Sequence, residues 1–208
     1  MKFPKIYKDK DVFLDTIREM KVGIIGFGNQ GRAQALNLRD SWIAATIGLR
    51  EGSPSAASGT SSKQEAEGFQ CQAIPDVVKN CDIISLLIPD QVMGEVYSEN
   101  IAPHLTEGQS LLFSHGYNIH YKLIQPPDNV NVIMAAPSGA GTELRKRYLD
   151  GKGIPGLFAV HQDYSGNAEE TVLAYCKAIG LTKSGVVKST FREETETDLF
   201  GEQLVLTG

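Results

Sequence analysis

The sequence lacks closely spaced cysteines, an excess of positive charge and long apolar runs. Its three cysteines, Cys71, Cys81 and Cys176, form no pair with metal-ligand spacing, and their odd number favours a reducing compartment over secretion. The net charge of −5 argues against a general nucleic-acid binder. No apolar stretch is long enough to span a membrane, and the first residues show no apolar signal-peptide core. These absences predict a cytoplasmic protein with neither a membrane nor a nucleic-acid partner.

Short apolar segments alternate along the chain with polar segments of helical length. This alternation predicts an α/β fold of the Rossmann type, in which helices cover both faces of a doubly wound, mostly parallel sheet. We expect one domain at 1–190 and a C-terminal helix beginning within 191–208. The predicted strands are 21–27, 42–49, 81–89, 109–116, 130–137, 156–162 and 183–191, and the predicted helices are 30–41, 91–97, 142–151 and 167–180.

A glycine motif of the form GxGxxG joins the first predicted strand to the first predicted helix. Gly26 permits a tight turn, Gly28 lets the backbone approach a pyrophosphate, and Gly31 lets helix and strand pack closely. The N–H groups at the helix start would face the anion. The alternative is a glycine-rich turn without a ligand. The position of the motif in the first β-α-β unit favours dinucleotide binding.

The end of the second predicted strand bears on which dinucleotide binds. An NAD site typically has an acidic residue here, whereas this chain has Arg50, followed by Glu51, Ser53 and Ser55. A guanidinium with nearby hydroxyls suits a 2′-phosphate, which favours NADPH. Two alternatives stay open: Arg50 belongs to a solvated loop, or Glu51 serves the ribose of NAD or pairs with Arg50.

Five stretches of the sequence resemble ketol-acid reductoisomerase and occur in that family's order: GFGNQGRAQALNLRDS, GLREGSPS, LLIPDQV, SHGYNIH and ETETDLFGEQ. The resemblance implies Mg²⁺-dependent alkyl migration and NADPH reduction of 2-acetolactate or 2-aceto-2-hydroxybutyrate to 2,3-dihydroxy acids, in valine and isoleucine biosynthesis. It also implies a homo-oligomer of at least two chains. The family's knotted, all-helical C-terminal domain would begin in 191–208 and is otherwise missing, so a separate chain carrying it is a further expected partner.

The resemblance also implies roles for individual residues. His115 matches the active-site histidine, and Asp198 and Glu202 match two magnesium ligands. The cofactor-binding residues, taken from the glycine motif, the second strand and the resemblance together, are Gly26, Phe27, Gly28, Asn29, Gln30, Gly31, Arg50, Ser53, Ser55, Asp90, Gln91, Val92, Met93 and Gly141.

The residue types are consistent with these roles. His115 follows an apolar strand, whose end faces the ligand crevice in this fold, and imidazole can exchange a proton near neutral pH. Asp198 and Glu202 are four residues apart and share a helix face, and oxygen ligands suit Mg²⁺. The alternatives are a histidine that merely caps the strand and a solvated acidic helix. We interpret the acids Glu193, Glu194 and Glu196 as such a solvated helix start.

Two departures from the family pattern leave other functions open. Ser138 stands where the family usually has a lysine, and Arg145 or Lys146 would have to replace that charge. The missing helical domain would supply further metal ligands. A simple NADPH-dependent 2-keto acid reductase and a non-catalytic NADPH-binding module are therefore alternatives. The chain would then be a fragment, half of a split enzyme, or a short paralogue.

Overall fold

The structure is a computed structural model that describes residues 4–50 and 67–198. Its strands are β1 Ile6–Tyr7, β2 Val22–Ile25, β3 Ala45–Leu49, β4 Gln70–Ala73, β5 Ile83–Leu86, β6 Ser110–Phe113, β7 Asn131–Pro137, β8 Gly156–Gln162 and β9 Val186–Lys188. Its helices are α1 Asp15–Arg18, α2 Asn29–Asp40, α3 Ile74–Asn80, α4 Asp90–Val96, α5 Tyr117–His120, α6 Gly141–Leu149, α7 Ala168–Ala178, α8 Leu181–Ser184 and α9, residues 191–198. Further helical turns lie at Asp9–Asp11, Tyr97–Ile101 and Ala102–His104.

The strands form one sheet in the order β1-β9-β8-β7-β6-β5-β2-β3-β4. Neighbouring strands are parallel except for the antiparallel pairs β1–β9 and β7–β8. The portion β4-β3-β2-β5-β6-β7 has the Rossmann strand order, in which the chain order reverses between β2 and β5. The predicted fold class is thereby confirmed. Ligands of such sheets bind beyond the carboxyl ends of the strands at this reversal.

The apolar core lies on both faces of the sheet. Alternate residues of a strand point to opposite faces, so Ile24 and Ile25 of β2 belong to two different buried clusters. The first cluster includes α2 and α7, and the second includes α3 and α4. Burying one such aliphatic side chain contributes roughly 1.5–3 kcal/mol, so this two-sided packing is the main support of the sheet. None of the described helices qualifies as a candidate membrane span.

The segment predicted as a last strand at 183–191 is only partly extended. Residues Leu181–Ser184 form α8, and the strand β9 covers Val186–Lys188 alone. Gly180 and Gly185 cause the difference, because their backbones have φ angles of +93° and +123° and so flank a single helical turn.

Two edge strands, β1 and β4, were not predicted from the sequence. The strand β4 is polar and mostly exposed, so it lacks the apolar alternation by which a strand is predicted. The strand β1 has two residues and pairs with β9, far along the chain. Tyr7 of β1 packs edge-on against Phe158 at 5.3 Å, and Lys177 Nζ donates hydrogen bonds to the carbonyls of Asp9 and Val12. The first described residues are thus anchored to the last part of the sheet.

A packing test concerns Gly23, in the middle of β2. A Cβ at this position would overlap Cγ1 of Val77 on α3. We therefore expect Gly23→Ala to lower the free energy of unfolding by about 1–3 kcal/mol, as overpacking does. In a Val77→Ala background the same substitution should cost clearly less, because the smaller side chain leaves room.

Denaturant unfolding of the wild type, Gly23→Ala, Val77→Ala and the double variant measures the coupling between the two positions. Strictly additive effects would contradict the contact between β2 and α3.

Candidate functional site

The glycine motif forms the turn between β2 and α2, and the absence of a side chain matters differently at each of its three glycines. Gly26 has a φ of +96°, and a Cβ there would lie 2.6 Å from Ile88 Cγ2. A Cβ on Gly31 would overlap the carbonyl oxygen of Gly26, so only glycine lets α2 approach β2 this closely. A Cβ on Gly28 would meet no atom within 4 Å. The side of the turn at Gly28 therefore faces open space, which a ligand can occupy.

The start of α2 at this turn has the features of an anion site. Gly28 is the N-cap residue and offers no side chain to the first N–H groups of this twelve-residue helix. Those N–H groups and the positive end of the helix dipole point toward the open space. The predicted pyrophosphate position is sterically and electrostatically suitable.

The side chains of the next two residues serve another purpose. Asn29 Oδ1 accepts a hydrogen bond from the backbone N–H of Thr142 at 2.8 Å, and Gln30 Nε2 donates to the carbonyl of Gly139 at 2.9 Å. A Cβ on Gly141 would overlap the backbone of Asn29. In this structure Asn29, Gln30 and Gly141 join the glycine turn to the loop between β7 and α6.

An apolar cavity of about 210 Å³ lies beside the turn. Gly26, Phe27 and Gly28 line one side, and Arg50, at the end of β3, lines another together with Val92 of α4. Arg50 is exposed, as a residue that receives a phosphate must be. Its predicted companions Ser53 and Ser55 lie outside the described residues, as does Glu51.

A second cavity, of about 740 Å³, lies on the other side of α4. The side chains of Asp90 and Gln91 line it, whereas Val92 lines the apolar cavity. Met93 is buried, and its sulfur accepts a hydrogen bond from Asn118 Nδ2. The predicted run Asp90 to Met93 is therefore divided among two cavities and the core. The remaining lining residues of the second cavity are Gly94, His115, Tyr117, Asn118, Leu123 and Asp198.

His115 lies at the end of β6 and is held by Glu194 of α9. The Nδ1 atom of His115 is 3.0 Å from Glu194 Oε1, and the backbone N–H of Gly116 donates to Glu194 Oε2 at 2.7 Å. A Cβ on Gly116 would overlap the carbonyl of Phe191 and lie 3.1 Å from Glu194 Oε2. The glycine thus lets α9 pack directly against the turn that carries His115.

The carboxylates around His115 change its titration. The hydrogen bond that Glu194 accepts from His115 raises the pKa of His115 above its ordinary value, burial opposes this rise, and the charges of Glu194, Asp90 and Asp198 add to it. The imidazolium form is therefore favoured relative to an exposed histidine.

The interpretation of Glu194 as a solvated residue is wrong. Its side chain is 8% exposed, and both of its oxygens accept hydrogen bonds from the His115 turn. Glu193 and Glu196 are exposed, as expected, and bond to Ser189 and Arg192. The sequence did contain a signal, because Glu194 is four residues before Asp198 and shares its helix face.

Asp198 completes a cluster that could bind a metal ion. One ligand atom each from His115, Glu194 and Asp198 lies within 4.8 Å of the others, and Asp198 Oδ2 is 3.6 Å from His115 Nδ1. The Asp198 side chain is 55% exposed and lines the larger cavity, so its carboxylate fits a magnesium ligand. Glu194 fits less well, since both oxygens are already used. The predicted partner Glu202 lies outside the described residues.

Arg145 does not replace the missing lysine at Ser138. Its guanidinium donates to Asn37 Oδ1 at 2.9 Å and pairs with Asp40 Oδ2 at 2.6 Å, on helix α2. Lys146 is exposed on α6. The hypothesis that Arg145 compensates for Ser138 is therefore not supported.

The sheet order and the glycine turn define a Rossmann-type domain of the dinucleotide-binding class. Residues 16–185 match the family model described as acetohydroxy acid isomeroreductase, NADPH-binding domain. The chain belongs to this family, the ketol-acid reductoisomerases.

Curated relatives and a solved structure agree with this assignment. The ketol-acid reductoisomerase (NADP(+)) of Pyrococcus abyssi is 51% identical over 209 residues, which cover 100% of this chain and 61% of that protein. The enzyme of the same name from Methanocaldococcus jannaschii is 51% identical over 98% of this chain and 60% of its own length. The structure of an NADH-preferring ketol-acid reductoisomerase from an uncultured archean superposes with a TM-score of 0.91 at 43% identity, covering 97% of this chain and 61% of that one. The chain therefore spans about three fifths of the length of the relatives it matches.

A titration tests the role of Glu194. We expect Glu194→Gln to lower the pKa of His115, because the hydrogen-bonded negative charge is lost. NMR titration of the histidine ring protons in metal-free buffer measures this pKa directly.

Glu193→Gln is the matched control, since Glu193 is exposed on the same helix and bonds to Ser189 Oγ. It should leave the His115 titration unchanged. Equal titration curves for wild type and Glu194→Gln would contradict the proposed pairing.

Proposed function

We propose that the chain binds NADPH and takes part in the isomeroreduction of 2-acetolactate or 2-aceto-2-hydroxybutyrate, a step of valine and isoleucine biosynthesis. The observation that carries the proposal is the His115–Glu194–Asp198 cluster, of which His115 and Asp198 line the same cavity as Asp90 at the start of α4. Membership of the family makes this reaction the first candidate. The cytoplasm is the proposed compartment.

NADPH would extend across the ends of β2 and β5. Its pyrophosphate would bind at the turn formed by Gly26 to Gln30, where N–H groups at the start of α2 are directed outward. Its adenosine end would occupy the apolar cavity, with the 2′-phosphate near Arg50, Ser53 and Ser55. The larger cavity would be left for the nicotinamide end, which would supply hydride for the reduction when bound.

Asp198 and Glu202 would hold magnesium at the larger cavity. When bound, the metal would act as a Lewis acid toward substrate oxygens in the alkyl shift. Asp198 has an exposed carboxylate in the cavity wall, which supports this role. Glu194, by contrast, would orient His115 rather than bind the metal.

His115 would exchange a proton with the substrate. Because its Nδ1 faces Glu194, its Nε2 is the nitrogen available to a ligand in the cavity. The carboxylate keeps the ring oriented and favours its protonated form. His115 would therefore donate a proton to a substrate oxygen as hydride arrives.

The rest of the assembly belongs to the proposal as well. We take 1–190 as the NADPH-binding domain and 191–208 as the start of the family's helical domain. Further metal ligands would come from that domain, in a homo-oligomer of at least two chains or in a separate polypeptide.

One observation favours a second function. The positive charge expected at Ser138 is absent, and Arg145 is paired with Asp40. A simple NADPH-dependent 2-keto acid reductase needs the cofactor and a proton donor but not the metal-assisted alkyl shift. It is therefore the alternative activity of this chain.

Substrate choice distinguishes these functions. NADPH oxidation is followed by absorbance with 2-acetolactate and, separately, with an already rearranged 2-keto acid, each with and without Mg²⁺. In an assembly that includes the family's helical domain, we expect turnover of 2-acetolactate that requires Mg²⁺, because the alkyl shift needs the metal. Metal-independent turnover of only the 2-keto acid would establish the simple reductase, and binding of NADPH without turnover would establish a non-catalytic module.

A charge reversal tests the cofactor assignment. We expect Arg50→Asp to weaken NADPH binding by about ten- to hundredfold, the scale of charge-assisted hydrogen bonds, and to change NADH binding much less. Fluorescence titration of both nucleotides measures the two affinities. Arg18→Asp on α1 makes the same change in net charge and should affect neither. Equal losses for NADPH and NADH in Arg50→Asp would refute the 2′-phosphate contact.

A further inference from the structure

A buried hydrogen-bonded network lies beneath the glycine turn, and Gln34 of α2 is its centre. Gln34 is fully buried. Its Oε1 accepts a hydrogen bond from the Tyr175 hydroxyl at 2.8 Å, and its Nε2 donates to Ser114 Oγ at 3.0 Å and to Gln30 Oε1 at 3.1 Å. Both N–H bonds of this amide are thus used. One side chain contacts helix α7, the end of β6 and the glycine turn.

The direction of each hydrogen bond in the network follows from one donor, the buried Tyr175 hydroxyl. The Tyr175 hydroxyl donates to Gln34 Oε1, and the phenol stays protonated because burial raises the pKa of Tyr175 far above its usual range. Ser85 Oγ, 3.3 Å away, must then donate to the phenol oxygen. Because Gln34 accepts with its oxygen, its nitrogen faces the other two partners.

The same reasoning orients Gln30 in the glycine turn. Its amide oxygen must face the Gln34 nitrogen, so its own nitrogen faces the carbonyl of Gly139. The backbone N–H of Thr142 binds Asn29 at the other end of this loop. The loop between β7 and α6, which carries Ser138, is therefore attached to the turn at two points.

The second branch of the network leads to the catalytic candidate. Ser114, which accepts from Gln34, directly precedes His115. A buried amide that lost one of these partners would leave a polar group unsatisfied in a low-dielectric interior, which is costly. Gln34 accordingly joins the end of β6 to the glycine turn, and it orients Gln30, which holds the loop.

We propose that Gln34 is a positioning residue that couples cofactor occupancy of the glycine turn to the placement of residues 138–142 and of His115. The inference rests on the proposed binding of NADPH at this turn. Gln34 lines neither of the two cavities; it acts through its hydrogen bonds to Gln30 and Ser114. A ligand that orders the turn therefore also orders the loop and the strand end.

Hydrogen exchange measured by mass spectrometry on the purified chain, with and without NADPH, tests this coupling. In the wild type, NADPH should slow amide exchange at 26–31, at 138–142 and at 114–116. Gln34→Met keeps the length of the side chain but removes all three hydrogen bonds. We expect the NADPH-induced slowing at 138–142 and 114–116 to fall by about tenfold, the scale of one buried hydrogen bond, while slowing at 26–31 remains.

Gln109→Met is the matched control. Gln109 is also buried, and its Nε2 donates to the carbonyls of Val78 and Cys81 at 2.6 and 2.7 Å. It precedes β6, at the opposite end of that strand from Ser114. The substitution makes the same chemical change and lowers overall stability, yet it should leave the NADPH-induced slowing at 138–142 intact.

Tyr175→Phe provides a milder test that keeps the buried ring and removes only the donor to Gln34. It should also reduce the NADPH-induced slowing at 138–142. If Gln34→Met does not fold, Tyr175→Phe alone tests the coupling. Equal losses in Gln34→Met and Gln109→Met, or no loss in Tyr175→Phe, would overturn the coupling. Absence of slowing at 26–31 in the wild type would instead refute the proposed cofactor site itself, and the coupling with it.

Discussion

The contact between α2 and the end of β2 is the one on which the site depends. Only glycine at position 31 allows the helix to meet the carbonyl of Gly26, and this approach places the helix start at the open side of Gly28. The same helix then brings Gln30 and Gln34 to the segments around it. A second close approach, at Gly116, brings α9 and Glu194 to His115. Two backbone contacts therefore assemble side chains from distant parts of the chain.

Helix α4 separates the two cavities by the simple periodicity of a helix. Pro89, Val92 and Val96 line the apolar cavity, whereas the other cavity has Asp90, Gln91 and Gly94 in its wall. The two walls therefore differ in polarity. Under the proposed function, one short helix thus distinguishes the two ends of the cofactor.

The charge of the larger cavity bears on the substrate. Its described lining contains the carboxylates of Asp90 and Asp198 and no lysine or arginine. The proposed 2-hydroxy acid substrate is itself an anion, so protonated His115 would need the help of a bound cation or of a residue from outside these described residues to balance the charge. Ser138 in place of a lysine makes this requirement stronger.

Local patterns predicted the central strands, the glycine turn and the placement of His115 after a strand, because each of these depends on a few consecutive residues. They did not predict the burial of Glu194, which depends on the missing side chain of Gly116, 78 residues earlier. The interaction of Gln34 with Tyr175 spans 141 residues and has no sequence motif. Arg145 was a plausible substitute for lysine until its partners on α2 were known. Pairs of polar side chains that are distant along the chain cannot be predicted from a single sequence.

The pairing of β1 with β9 also sets a condition on how the chain acquires its structure. Residues 6–7 find their partners only at 186–187, and Asp9 and Val12 are held by Lys177. During synthesis the first strand therefore has no native neighbour until almost the whole described chain has left the ribosome. Contacts of such separation form slowly. The central strands can assemble first, and this edge of the sheet closes last.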